Sequence, residues 1–227
     1  MFKWKHYQSG IIILCVRWYL KYPLSYRNLE EMMQERGLDI CHTTIYRWVL
    51  EYSPKLNRGL RKYLKPTGDS WRVDETYIKL KGKWMYLYRA VDQYGDTIDF
   101  WLSRKRDRKA AKKFFRKALR SPHNTNPRVI TTDKYAATIK AIKEDIKNER
   151  LHPNTKHRSS KYMNNIVEQD DRHVKRITNQ MLGFKQFKSA CSTIQGIEAM
   201  NMIRKGQVNT KTVFDEITLI NVVFNVA

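Results

Sequence analysis

The chain has 227 residues and a formal charge of +22, from 44 Lys and Arg against 22 Asp and Glu. That length allows one core or two small ones, and a folded protein this basic calls for a polyanionic partner, nucleic acid first. Cys15, Cys41 and Cys191 stand far apart with no C-x-x-C pair, which gives no support to a zinc finger and points to reduced thiols in the cytosol.

The first predicted element is a helix over about Gly10–Leu20, with Ile11, Leu14, Cys15 and Trp18 on its buried face, stopped near Pro23. Its apolar run Ile11–Val16 is too short to span a bilayer and lacks a signal-peptide cleavage pattern, so no membrane partner is expected. A second helix, about Tyr26–Arg36, has Ser25 as its cap and Gly37 to end it in the left-handed conformation. In a third, about Thr43–Tyr52, the spacing of Ile45, Trp48, Val49 and Tyr52 turns those side chains inward. Thr43, Thr44, Tyr46 and Arg47 are left outward. Helix, short turn with Gly, helix is the helix-turn-helix form, whose second helix puts its first residues on base edges in a major groove. Residues 1–52 are therefore expected to form a helical DNA-binding domain. SPKLNRGLRKYLKPTGDS, 53–70, has the prolines, glycines and basic residues of a linker.

Strand-like alternation marks Trp71–Leu80, Trp84–Val91 and Thr97–Leu102, separated by the turns Lys81-Gly82-Lys83 and Asp92–Gly95. Tyr86, Trp84 and Trp101 are expected in its core. A helix over Arg108–Arg120 carries Ala111, Phe114, Phe115 and Ala118 on one face, and ten basic residues fall between 104 and 120. A short strand over Arg128–Thr132, a helix over Tyr135–Asn148, a fifth strand within 149–158, a helix around residue 168 and a last helix over about Gln186–Arg204 complete residues 71–206. Residues 207–227 form a C-terminal tail, whose apolar end TLINVVFNVA is open to three readings: a packed strand, an oligomer contact or a frameshifted end.

Three acids in this pattern have the spacing of a two-metal phosphodiester site. Asp74 lies in the first strand, Asp133 ends the fourth, and Glu168 follows with thirty-four residues between it and Asp133. Clustered carboxylates raise one another's pKa unless cations join them, and Mg²⁺ prefers oxygen ligands and keeps its waters. Asp171 shares the helix face of Glu168 and is either a substitute ligand or a neighbour. Glu75 points to the other side of its strand. Arg172 and Lys175 follow on the face of Glu168, placed to hold phosphate.

Taken in order, LSYRNLEEMMQERG with HTTIYRW, then WRVDETYIKLKGKWMYLYRAVD, TTD, KYMNNIVEQDDRHVKR and TIQGIEAM resemble one family over nearly the whole chain. It is the DDE transposases of small bacterial insertion sequences, the group named insertion sequence six. The resemblance implies an α/β fold, an RNase H-like mixed five-stranded sheet flanked by helices and preceded by an all-α helix-turn-helix domain. It implies Asp74, Asp133 and Glu168 as catalytic metal ligands, for Mg²⁺ or Mn²⁺. It also implies binding to the double-stranded terminal inverted repeats and target DNA, replicative transposition, a homo-oligomer, and a place in the bacterial cytoplasm on the nucleoid. Two other classes share parts of the pattern. A decayed transposase acting as a repressor would bind DNA without joining it, and an RNase H-like nuclease would cut without joining.

Overall fold

A computed structural model describes Phe2 and residues 6–133, 135–160, 165–180 and 184–226. In chain order the elements are α1 (Ser9–Lys21), α2 (Tyr26–Gln34), α3 (His42–Leu60), β1 (Ser70–Leu80), β2 (Lys83–Val91), β3 (Thr97–Ser103), α4 (Arg108–Arg120), β4 (Val129–Thr132), α5 (Ala136–Lys147), β5 (Lys156–Ser159), α6 (Asn165–Gln180), α7 (Phe187–Arg204) and α8 (Val213–Phe224). They divide into two compact units, residues 64–173 and residues 1–63 with 174–227.

The first of these is an α/β unit of RNase H-like topology. Its sheet runs β3-β2-β1-β4-β5. β1, β2 and β3 form an antiparallel meander, and β4 joins β1, and β5 joins β4, in parallel. The β1–β2 turn is two residues long, and Lys81 and Gly82 both have positive φ (47° and 77°), the backbone a twisted two-residue hairpin requires. The next turn is held by Asp92, whose carboxylate accepts the backbone N–H groups of Gly68, Tyr94 and Asp96. One sheet face presents Trp71, Val73, Tyr88 and Ala90 to Ala111, Phe114 and Phe115 of α4 and to Ala141 and Ile142 of α5, and these form an apolar core. Asp107 caps α4 by accepting the N–H of Ala110.

Trp84, expected inside, is 57 % exposed. The reason is the length of the hairpin. Pairing with β3 ends at Tyr86 and the β4 pairing ends at Arg72, so β1 and β2 run on with no third strand among the described residues.

The other unit is helical. Ser25 and Asn28 form a capping box at α2, and Gly37 at φ 72° ends that helix, as expected. Glu30 accepts the N–H of His42 and so fixes the start of α3. α3 does not stop at Tyr52. It continues through Pro54 to Leu60, over ground the sequence marked as linker. Proline inside a helix costs one hydrogen bond and about 3 kcal/mol, but Leu56 and Leu60 extend the buried stripe of Ile45, Trp48, Val49 and Tyr52. α7 packs against α3 and α1, in this unit and not in the sheet unit to which chain order had assigned it. The expected tail is in large part the helix α8, opened by a Thr212–Asp215 capping box. Its buried Glu216 accepts from Arg17 at 2.6 Å and Lys21 at 2.7 Å of α1.

Candidate active site

Strand alternation puts Asp74 on the sheet face opposite Val73 and its core. β1 and β4 pair Ser70 with Val129, Trp71 with Ile130 and Arg72 with Thr131. Continued two steps, that register sets Asp74 level with Asp133, the residue just past β4, on strands about 4.8 Å apart. Burial pushes the Asp74 carboxyl up to about 7, and the negative charges of Asp171, Glu75 and Asp133 add to the shift. Asp133 is held in place: Oδ1 accepts the N–H of Tyr135 at 3.0 Å and Oδ2 accepts from Arg106 at 3.2 Å.

Arg106 is a site residue that the sequence showed only as one of a basic cluster. Its Nη2 also donates to Glu75 at 2.6 Å. Thr138 donates to the other Glu75 oxygen at 2.9 Å. The Arg106 guanidinium lies 3.8 Å from the Tyr135 ring centre, and the Tyr135 hydroxyl donates to the Arg106 carbonyl at 2.6 Å. Glu75 thus faces away from Asp74, anchoring the arginine that holds Asp133. Its carboxyl is raised by burial, against the lowering effect of Arg106.

Glu168 lies in the first turn of α6 and is exposed. Asp171, one turn on and on the same face, is buried. Arg89 is the cross-strand partner of Asp74, and its fork donates to Asp171 at 2.6 Å and to Asp170 at 2.7 Å. α6 is thereby tied to the sheet beside Asp74. Asp171 is both a neighbour of Asp74, through its charge, and a partner of Arg89. Arg172 and Lys175 are exposed on α6. The KYMN stretch at 161–164, part of the family resemblance, lies outside the described residues. Asp74 and Asp133 offer carboxylate oxygens and neighbouring negative charge acts on Asp74, whereas Glu168 is not among the acids whose charge acts on Asp74. A hard divalent cation such as Mg²⁺ fits both features.

In the helical unit Thr43, Tyr46 and Arg47 are exposed and Thr44 is half-buried. Tyr46 meets Tyr26 edge to face, and Tyr26 stacks on Tyr19. A cavity of about 390 Å³ lies against this start of α3, with Tyr19, Tyr26, Thr43 and Tyr46 among its walls.

Comparison with known proteins adds four findings. The DDE-domain family of IS240-type transposases matches residues 68–207. The transposase of the insertion sequence-like element IS431mec from Staphylococcus aureus is 40 % identical over 204 residues, 90 % of this chain and 88 % of that protein. The transposase of IS257 in transposon Tn4003, also from Staphylococcus aureus, is 39 % identical over the same shares. Among solved structures, the catalytic core domain of HTLV-2 integrase in complex with magnesium aligns with a TM-score of 0.45 at 17 % identity, over 58 % of this chain and 84 % of that one.

Proposed function

The chain belongs to the DDE transposases of bacterial insertion sequences, in the insertion sequence six family, and on that premise we propose that Asp74, Asp133 and Glu168 hold the divalent metal at which it cuts and joins DNA. The observation that carries this reading is the strand register that sets Asp74 level with Asp133, with α6 tied to the sheet beside them through Arg89. Mg²⁺ is the proposed ion and Mn²⁺ its substitute. Bound there, such an ion would supply the Lewis acidity that activates a water or a 3′-hydroxyl and stabilises the leaving oxygen.

The protein's own groups do the rest. Arg106 and the Tyr135 N–H orient Asp133. Arg172 and Lys175 bind phosphate oxygens as fork and point charge. Thr43, Thr44, Tyr46 and Arg47 read the terminal inverted repeats from the start of α3. Hydrolysis of one phosphodiester at each end frees a 3′-hydroxyl. That oxygen then attacks a target phosphodiester, forming one bond as the target's own 3′-oxygen leaves. A homo-oligomer brings two ends together, as two related half-sites favour.

The test is strand transfer in vitro, with labelled oligonucleotides from the DNA flanking the gene, supercoiled target, and Mg²⁺ or Mn²⁺. Glu168→Gln and Asp74→Asn are expected to abolish joined product while keeping end binding. Specific binding by the wild type with no cleavage or joining under any metal would overturn the proposal in favour of the repressor reading.

A further inference from the structure

The hairpin that outruns the sheet is built as a surface. Trp84 is 57 % and Tyr77 46 % exposed, large values for aromatic side chains within strands. They share one face with Tyr86 and touch: Tyr77 meets Trp84 edge to face at 6.2 Å and tilts on Tyr86 at 5.6 Å. Lys79 sits over the Trp84 ring at 5.9 Å. The opposite face of the same hairpin is buried through Ile78 and Met85, and the turn is the tight two-residue kind. The rings are therefore presented by a rigid support.

Position and charge narrow the occupant. β1 runs on past Asp74 in the direction in which β4 runs to Asp133, so the hairpin extends from the end of the sheet where those acids stand. Tyr77 and Lys79 are three and five residues beyond Asp74, about 10–17 Å along the strand, and lie on the other sheet face, that of Glu75, so a strand reaches them around the sheet end where Arg106 bridges Glu75 and Asp133. Lys79, Lys81 and Lys83 surround the rings, and no acid occurs between Glu75 and Asp92. A second copy of the chain would bring the same cations to this face, whereas a polyanion is complementary to it. Bases inside a duplex are already stacked on each other, and an exposed ring can add only to an unpaired one.

We propose that Trp84 and Tyr77, with the hairpin lysines, form a stacking platform for unpaired bases of the DNA strand beside the cut. This rests on the reading of Asp74 and Asp133 as the place where DNA is cut. The platform holds a strand end after its phosphodiester is broken, with the lysines on its phosphates.

The experiment uses the full chain in EDTA and oligonucleotides carrying an element end with an unpaired flank, 2-aminopurine being placed at successive flank positions. The wild type is expected to quench 2-aminopurine at one or two of these. Trp84→Ala should lose that quenching and weaken binding of the unpaired-flank DNA roughly 5- to 150-fold, the range of single stacking interactions, with fully duplex DNA bound as before. Trp84→Phe should restore both, and unchanged thermal midpoints show that the variants fold. Equal quenching and affinity in wild type and Trp84→Ala would overturn the platform. So would a Trp84→Ala variant that changes only the sedimentation of the free protein, since the face would then be a contact between copies. Strand transfer separates the two proposals. Trp84-dependent quenching in a chain that joins nothing defeats the active-site reading alone, and intact joining with Trp84-independent quenching defeats the platform alone.

Discussion

Arg89 is 1 % exposed and answers two carboxylates on one helix, so removing it has a cost that chain position does not reveal. In Arg89→Met, Asp170 and Asp171 stay buried without the guanidinium, at an expected loss of about 3–5 kcal/mol in urea denaturation. Adding Asp170→Asn and Asp171→Asn should recover much of that loss, which separates stranded charge from weakened packing. Asp74 makes a second case. Its carboxyl titrates near 7 in the fold against an ordinary 3.8, so between those values the folded state holds a proton that the unfolded chain has released. The stability this contributes is complete below about pH 4 and is lost as pH rises through 7. Urea midpoints of the metal-free protein from pH 4.5 to 8 should therefore fall more steeply in the wild type than in Asp74→Asn, and parallel curves would contradict the raised value. The neighbouring placement of Asp74 and Asp133 was legible in the sequence, because strand pattern and element order put them on adjacent strands. Arg89 and Arg106 were not, because a buried arginine in a strand and one in a basic run look like any other until strand pairing brings their partners to them.

At the scale of elements, local rules worked where one face of an element decides its character. The cap at Ser25, the end at Gly37, the phenylalanine face of α4 and the meander all follow from period and punctuation. They misled where burial overrides a local signal. Pro54 argues for a helix end, yet the apolar stripe continues past it and α3 follows the stripe. α7 is buried nearly all round, from Ala190 and Ile194 to Met200 and Ile203, which marks a helix surrounded by others. Gly196 explains how closely they approach. A Cβ built there would lie 2.6 Å from Leu20 and 2.7 Å from the Ser53 Cβ, inside any normal contact. Gly196→Ala is expected to destabilise by about 1–3 kcal/mol through overpacking, read as a lower midpoint in thermal or urea unfolding. A midpoint equal to the wild type would mean that the helices separate without cost. The TIQGIEAM motif that contains this glycine is thus explained by packing.

For the molecule as a whole, the +22 charge pointed to nucleic acid from composition alone, but composition does not say which cations are spent internally. Of the basic residues on α4, Arg108 and Lys112 pair with Glu144 and Lys117 with Asp99, while Arg106 serves Glu75 and Asp133. Lys109, Lys113, Arg116 and Arg120 remain exposed at helical spacings of four, three and four, one continuous stripe. A stripe like this meets a phosphate backbone without regard to sequence, and each phosphate it neutralises releases counterions. If it follows DNA, Lys113→Gln with Arg116→Gln should weaken binding to specific and random duplexes alike. The slope of log affinity against log salt should then flatten by about 0.9 for each phosphate no longer neutralised, close to two units for the pair. Arg47→Ala, at the start of α3, should instead cost about 1–3 kcal/mol on the element's ends and much less on random DNA. Titrations of both variants at four or five salt concentrations distinguish the two roles. A slope unchanged by the α4 substitutions would assign that stripe to solvation and leave the polyanion to the remaining basic surface.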